Sequence, residues 1–270
     1  MMLVTRYLSL VLKRNLITYQ PTQKRRGAVF LISFLLVVAP SVLANFHFSS
    51  CVGEQQAATV SLQRIENEWP MRGSGDVVSQ YVQKLGAQLA HFSVYERNSP
   101  WRFSVVRNLA PNAFSIGGGY VFITDGAVNF VQNESELAAI LAHELGHELA
   151  GHFCGASDLN DSNSVFDIFS VVKIEVRQVG IGSLMLAIDP VKEQEADQIA
   201  LSILQAGGYD PQAMLEVARR LSKGNPVHLV DSQRLQALKN ILTKIPPTKT
   251  QDSEDFLTIK RTLATERAAW

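Results

Sequence analysis

The chain has 270 residues, and its 25 Lys and Arg balance 25 Asp and Glu, so the formal net charge is zero. Hydrophobic residues make up 46% of it and there are two cysteines. With no basic block beyond the N-terminus there is no footing for nucleic acid; two cysteines exclude a disulfide scaffold, and no repeat of solenoid period is present.

The N-terminus reads as a leader. Arg6, Lys13, Arg14, Lys24, Arg25 and Arg26 are the only formal charges ahead of Glu54. Residues 27–44 are almost wholly apolar, broken by Pro40, which is the pattern of a secretory signal or signal anchor over residues 1–44. Val42, Leu43 and Ala44 suit cleavage after Ala44. The run is also long enough to stay as an anchor, and its basic flank would hold the N-terminal side in the cytoplasm and send the rest across. Phe48-Ser49-Ser50-Cys51 admits a lipoprotein, and the acid-free composition admits a mitochondrial transit peptide before an inner-membrane segment.

What remains is long enough for one domain with a real core. Helices are predicted over 55–68, 76–92, 134–153, 191–207, 211–221 and 233–243, and strands over 101–106 and 120–124. That is an α+β domain, mainly helical, over residues 45–245. Gly117, Gly118 and Gly119 precede the second strand and suit close backbone approach; without a wider glycine pattern they do not suggest a nucleotide. Residues 157–163 are polar. Residues 165–188 are apolar but interrupted by Lys173, Glu175 and Arg177, which reads as a helical flap or a buried helix pair. Residues 246–253 read as a linker and 254–267 as a short helix.

The most informative element is the helix over 134–153. Asn133 is a good N-cap and Glu136, three residues on, makes a capping box. Within it stands His143-Glu144-Leu145-Gly146-His147. Residues four apart share a helix face, so His143 and His147 can close on one metal ion, with Glu144 placed to handle the proton of a metal-bound water. A catalytic zinc takes a third protein ligand. Glu193 and Asp197, four apart on the next helix, fit as ligand and as acceptor for an imidazole N–H, and equally fit a solvated acidic first turn. His152 lies about half a turn off the His143 face and is left out of the site; Glu195 is expected to point elsewhere. Cys51 and Cys154 could form a disulfide in an oxidising compartment, or Cys154 could be a buried thiol.

These motifs together resemble a known family. His143-Glu144-Leu145-Gly146-His147 followed by Glu193-Gln194-Glu195-Ala196-Asp197 is similar to the gluzincin zinc metallopeptidases of the CAAX prenyl endopeptidase, HtpX and Oma1 type, most of all to the periplasmic BepA- and LoiP-like proteases, here without a repeat domain. The run from Asn112 to Gly126, the turn from Ala206 to Ala213 and the loop from Pro226 to Leu235 resemble further segments of that family, in order along the chain. The resemblance implies a zincin-like fold with a small sheet and one zinc ion per chain held by His143, His147 and Glu193. Glu144 is then the general base, Asp197 and Arg234 support the ligands, and His228 lies near the zinc as a gate or oxyanion partner. Ile116, Val227 and Leu229 depart from the family pattern without touching the ligands.

A peptide substrate would lie extended beside Gly118, Gly119, Tyr120, Val121 and Phe122, with 120–124 as an edge strand. The expected activity is a zinc endopeptidase acting on protein or peptide substrates. By analogy these are unfolded or misassembled proteins of the periplasm or cell envelope, with possible membrane association through the N-terminus; the mitochondrial inner membrane is the second option. A chaperone-like or adaptor module with a latent peptidase is the other class retained.

Overall fold

The computed structural model describes residues 52–93, 100–154, 190–221 and 230–268, all within one compact unit, Phe46–Trp270. The leader, Cys51, the segment 155–189 and His228 lie outside the described residues. No helix among the described residues is long and apolar enough to cross a membrane.

Two helices come first, α1 (Val52–Glu68) and α2 (Val77–His91). Asp76 starts α2 by accepting from the backbone N–H of Val78 and Ser79, which satisfies donors that a helix start leaves open. Three short strands follow: β1 (Arg102–Val106), β2 (Ala113–Ser115) and β3 (Tyr120–Thr124). Their order is β1-β3-β2, with β1 parallel and β2 antiparallel to β3. The alternation of β3 sorts its side chains onto two faces. Val121 and Ile123 join the main core with α2; Phe122 stacks on Phe114 at 5.0 Å, beside Ile65 and Trp69. The sheet is covered on both faces, which is why β3 reads as a nearly continuous apolar run.

Thr124 ends β3 and caps α3 (Asp125–Phe130). The long central helix α4 (Glu134–Leu149) starts at Asn133, whose side chain accepts from Glu136 N–H. Glu136 reaches back to Gln132 N–H at 2.6 Å, one residue earlier than the expected capping box, and its carboxylate is also gripped by Arg220. Then come α5 (Pro190–Gly207), α6 (Gln212–Leu221), α7 (Ser232–Leu242) and α8 (Glu254–Ala268).

Three expectations need correction. The helix predicted over 134–153 ends at Leu149: Gly151 turns left-handed with φ 69° and the N–H of His152 closes on His147 O at 3.1 Å, a glycine stop. The strand over 120–124 is not at an edge, because β2 pairs with its far side. β2 itself was unforeseen, since three residues leave no periodicity to read.

The third correction concerns the domain's expected end at 245: the helix expected over 254–267 is present as α8, but it belongs to the domain. Phe256, Ile259 and Leu263 of α8 are buried in the same core as α2 and α4. The preceding segment is pinned as well: Asp252 accepts from Glu134 N–H at 2.7 Å, and Glu134 accepts from Ser253 N–H at 2.7 Å. Lys260 Nζ donates to the carbonyls of Val128, Asn129 and Val131 at the end of α3. Near the far end of α8, Glu266 pairs with the buried Arg72, which also holds Asp125 at 2.6 Å. Replacing Phe256 by Ala is expected to lower unfolding stability by ~3–5 kcal/mol, as for other fully buried aromatics. Urea denaturation checks this; an unchanged midpoint would mean that α8 is not part of the cooperative core.

Candidate metal centre

Helices α4 and α5 approach closely at one point. A Cβ on Gly146 would lie 2.4 Å from Ala196 O and 2.9 Å from Ala196 Cα, so the glycine lets the two backbones touch. One turn of α4 before Gly146 lies His143, and the next residue after it is His147. On α5, Glu193 and Asp197 flank Ala196. The contact therefore faces two imidazoles toward two carboxylates, all buried.

His143 Nε2 lies 3.1 Å from His147 Nε2, and the two oxygens of Glu193 divide between them, Oε2 3.3 Å from His143 Nε2 and Oε1 3.3 Å from His147 Nε2. Three donors bound at 2.0–2.1 Å around a tetrahedral ion would sit ~3.3 Å apart, so the donor set and its spacing suit such an ion. Among the described residues, His143, His147 and Glu193 are the group that could hold a metal.

The surrounding groups orient these donors. His143 Nδ1 donates to Asp197 Oδ1 at 2.9 Å, which leaves Nε2 turned to the centre. Arg234 grips Asp197 with Nε and Nη2, both at 2.8 Å, and its Nη1 contacts Glu193. Arg234 is aimed there by the start of α7, where Asp231 accepts its backbone N–H at 2.7 Å. Burial pushes the Asp197 carboxyl up, but the Arg234 charge and the His143 hydrogen bond outweigh it and hold Asp197 below the usual carboxylate range. Burial and Arg234 both disfavour charge on His143; the hydrogen bonds to Asp197 and Glu193 prevail and hold its pKa at about 9. The carboxylates therefore favour positive charge at this point.

His147 has a different partner. Its Nδ1 lies 2.8 Å from His152 Nδ1, and His152 Nε2 lies 3.2 Å from Glu195 Oε2. Both residues had been placed away from the site. The helical-wheel argument against His152 failed because the helix stops at Leu149, and the turn at Gly151 folds the His152 ring against His147, at 5.0 Å between centroids. A glycine one position before His152 was the available signal. Burial lowers the tendency of His152 to protonate, against the opposing hydrogen bond to Glu195.

Glu144 is buried beside His143, and Ser115 Oγ of β2 donates to its Oε2 at 3.3 Å. A pocket opens here, lined by Asn112, Ala113, His143, Glu144, Met214 and Val217 among others. Asn112 is 3% exposed and neither polar atom of its amide has a partner among the described residues. The glycine turn serves another purpose than expected. Gly118 N–H donates to Glu54 at 2.8 Å and Gly119 N–H to Glu148 at 3.0 Å, both carboxylates being buried. Tyr120, Val121 and Phe122 are hydrogen-bonded into the sheet between β1 and β2. Gly118, Gly119 and these strand residues are therefore engaged within the fold, and β2 is the strand beside Glu144.

The family model of peptidase family M48 matches residues 77–242. The chain is 30% identical over 224 residues to the beta-barrel assembly-enhancing protease of Escherichia coli (strain K12), covering 72% of this chain and 46% of that protein. It is 28% identical over 209 residues to the protein of that name from Yersinia pestis, covering 68% and 43%. To the mitochondrial metalloendopeptidase OMA1 of Schizosaccharomyces pombe it is 26% identical over 203 residues, covering 72% and 60%. The chain spans about half the length of the curated relatives it matches.

Glu193→Ala removes the carboxylate that completes the donor triangle. The variant is expected to remain folded and to lose stoichiometric metal, measured by elemental analysis after dialysis. Full metal content would move the third ligand elsewhere.

Proposed function

The chain belongs to peptidase family M48, and from that premise we propose that it is a zinc-dependent endopeptidase that hydrolyses unfolded or misassembled proteins of the cell envelope. The observation that carries the reading is the convergence of His143, His147 and Glu193 at 3.1–3.3 Å with Glu144 on the same helix. One zinc ion per chain would be held by these three residues. When bound, such an ion polarises the scissile carbonyl and makes water a nucleophile near neutral pH.

The protein groups divide the remaining work. Glu144 accepts the proton of the attacking water and passes it to the leaving amine, with Ser115 Oγ orienting its carboxylate. Asp197 and Arg234 hold His143 and Glu193 in place. The substrate lies extended along β2, and the buried amide of Asn112, without a partner among the described residues, meets its backbone: a group that can both donate and accept suits a peptide bond. The adjoining cavity, largely apolar in its walls, receives a neighbouring substrate side chain. His228 is retained as the oxyanion partner on the family resemblance alone.

The cellular setting rests on separate support. The basic leader directs the chain across a membrane. A disulfide between Cys51 and Cys154, which the two cysteines allow, would suit an oxidising compartment. Both fit the periplasm or cell envelope, with membrane association through the N-terminus. An adaptor with a silent peptidase is not favoured, because the ligands and Glu144 are all present.

Glu144→Gln is expected to retain metal and to lower cleavage of unfolded casein by ~10²–10⁴-fold, the range for loss of a general base. Stoichiometric metal without any Glu144-dependent cleavage would instead support the binding module. Asn112→Ala is expected to reduce kcat/KM for peptides by ~5–30-fold, the loss of one or two backbone hydrogen bonds, with metal content unchanged.

A further inference from the structure

A metal ligand that offers Nε2 must carry its proton on Nδ1, and that proton needs an acceptor. For His143 the acceptor is Asp197. For His147 it is another imidazole, His152, at 2.8 Å. A neutral imidazole has one donor and one acceptor nitrogen. If His152 Nδ1 is to accept from His147, its own proton must sit on Nε2, where Glu195 accepts it at 3.2 Å. The directions of both hydrogen bonds are thereby set from the surface inward. Glu195 is 44% exposed at its side chain, His152 7% and His147 1%, so the series runs from solvent to the centre of the donor triangle.

We propose that His152 and Glu195 are positioning residues for the metal: Glu195 sets the tautomer of His152, and His152 in turn sets the tautomer and ring orientation of His147. This rests on the metal-centre reading and adds two residues to it. A purely structural role would not need either side chain. The stop of α4 is made by backbone, through Gly151 and the hydrogen bond from His152 N–H to His147 O, which any residue at position 152 could supply. Lys192 further secures the turn by donating to His152 O at 3.4 Å, again a backbone contact. The imidazole of His152 is left with one task, which is to accept from His147 while donating to Glu195. The two carboxylates of α5 therefore serve different histidines: Asp197 acts on His143 directly, and Glu195 acts on His147 through one intervening ring.

The test uses the full-length chain and zinc alone as the probe, with affinities from competition against a chromophoric chelator. His152→Leu is expected to weaken zinc binding by ~10–100-fold, the usual effect of losing such a partner. His152→Asn, whose amide oxygen can stand where Nδ1 stood, is expected to recover most of that loss. Glu195→Ala is expected to weaken binding, and Glu195→Gln, which still accepts through its amide oxygen, to do so less. Long-range proton–nitrogen NMR spectra of the zinc-loaded protein should show His147 protonated at Nδ1 and His152 at Nε2. Unchanged affinity in His152→Leu, or a His152 protonated at Nδ1, would overturn the proposal. Should His152→Leu fail to fold, the two Glu195 variants decide, and equal affinity for both would overturn it. A native chain that binds no zinc would overturn the metal centre itself, an outcome distinct from a native chain that binds zinc indifferent to position 152.

Discussion

The site depends on two helices meeting backbone to backbone. Gly146 leaves no side chain between α4 and α5, and Ala196 lies directly against it. Interaxial spacing in ordinary helix pairs is set by the side chains at the contact. Here that spacing collapses at one point, within a turn of His143, His147, Glu193 and Asp197. Without that approach, the carboxylates of α5 could not come within 3.3 Å of imidazole nitrogens on α4. The rest of the domain supports this pair: the sheet and α2 pack on one side, α6 on another, and α8 fills the core beside the start of α4.

Close approach brings charge into the interior, and that is costly unless the charges are matched. Glu144, Glu193 and Asp197 are each at most 2% exposed. Arg234 supplies one positive charge and is shared between Glu193 and Asp197. Its bidentate grip on Asp197 is the geometry that a guanidinium makes well and an ammonium does not. The remaining negative charge makes this point of the protein a place for a cation. The glycine turn before β3 shows a related economy. Its N–H groups at Gly118 and Gly119 are matched by the buried carboxylates of Glu54 and Glu148, and β2 is the strand left beside the cavity.

Much of this was legible residue by residue. His143 and His147 declare their shared face through spacing alone, and Asn133 marks the start of their helix. Glu193 and Asp197 could be paired by the same spacing on α5, although an exposed acidic turn reads identically in one dimension. The misreadings have a common origin. Excluding His152 assumed that the helix continued, whereas Gly151 ends it. Taking Tyr120–Thr124 as an edge strand assumed that no strand lay beyond it, whereas the three residues of β2 are too few to signal themselves. The helix after the linker at 246–253 was legible, but its place was not: setting the domain's end at Ile245 left out Phe256, Ile259 and Leu263, which carry that helix into the core.

By itself, the sequence determined what depends on neighbours along the chain: the helix types and caps, the pair of histidines on one face, and the residue chemistry a hydrolytic metal centre needs. Those features are periodic or local, so one dimension suffices. The tertiary structure decided what depends on contact between distant segments: that Glu193 faces inward, that Arg234 shares itself between two carboxylates, that His152 and Glu195 stand behind His147, and that β2 flanks the cavity. Each of these is a contact between residues far apart in the chain, and packing across the core sets which of them meet.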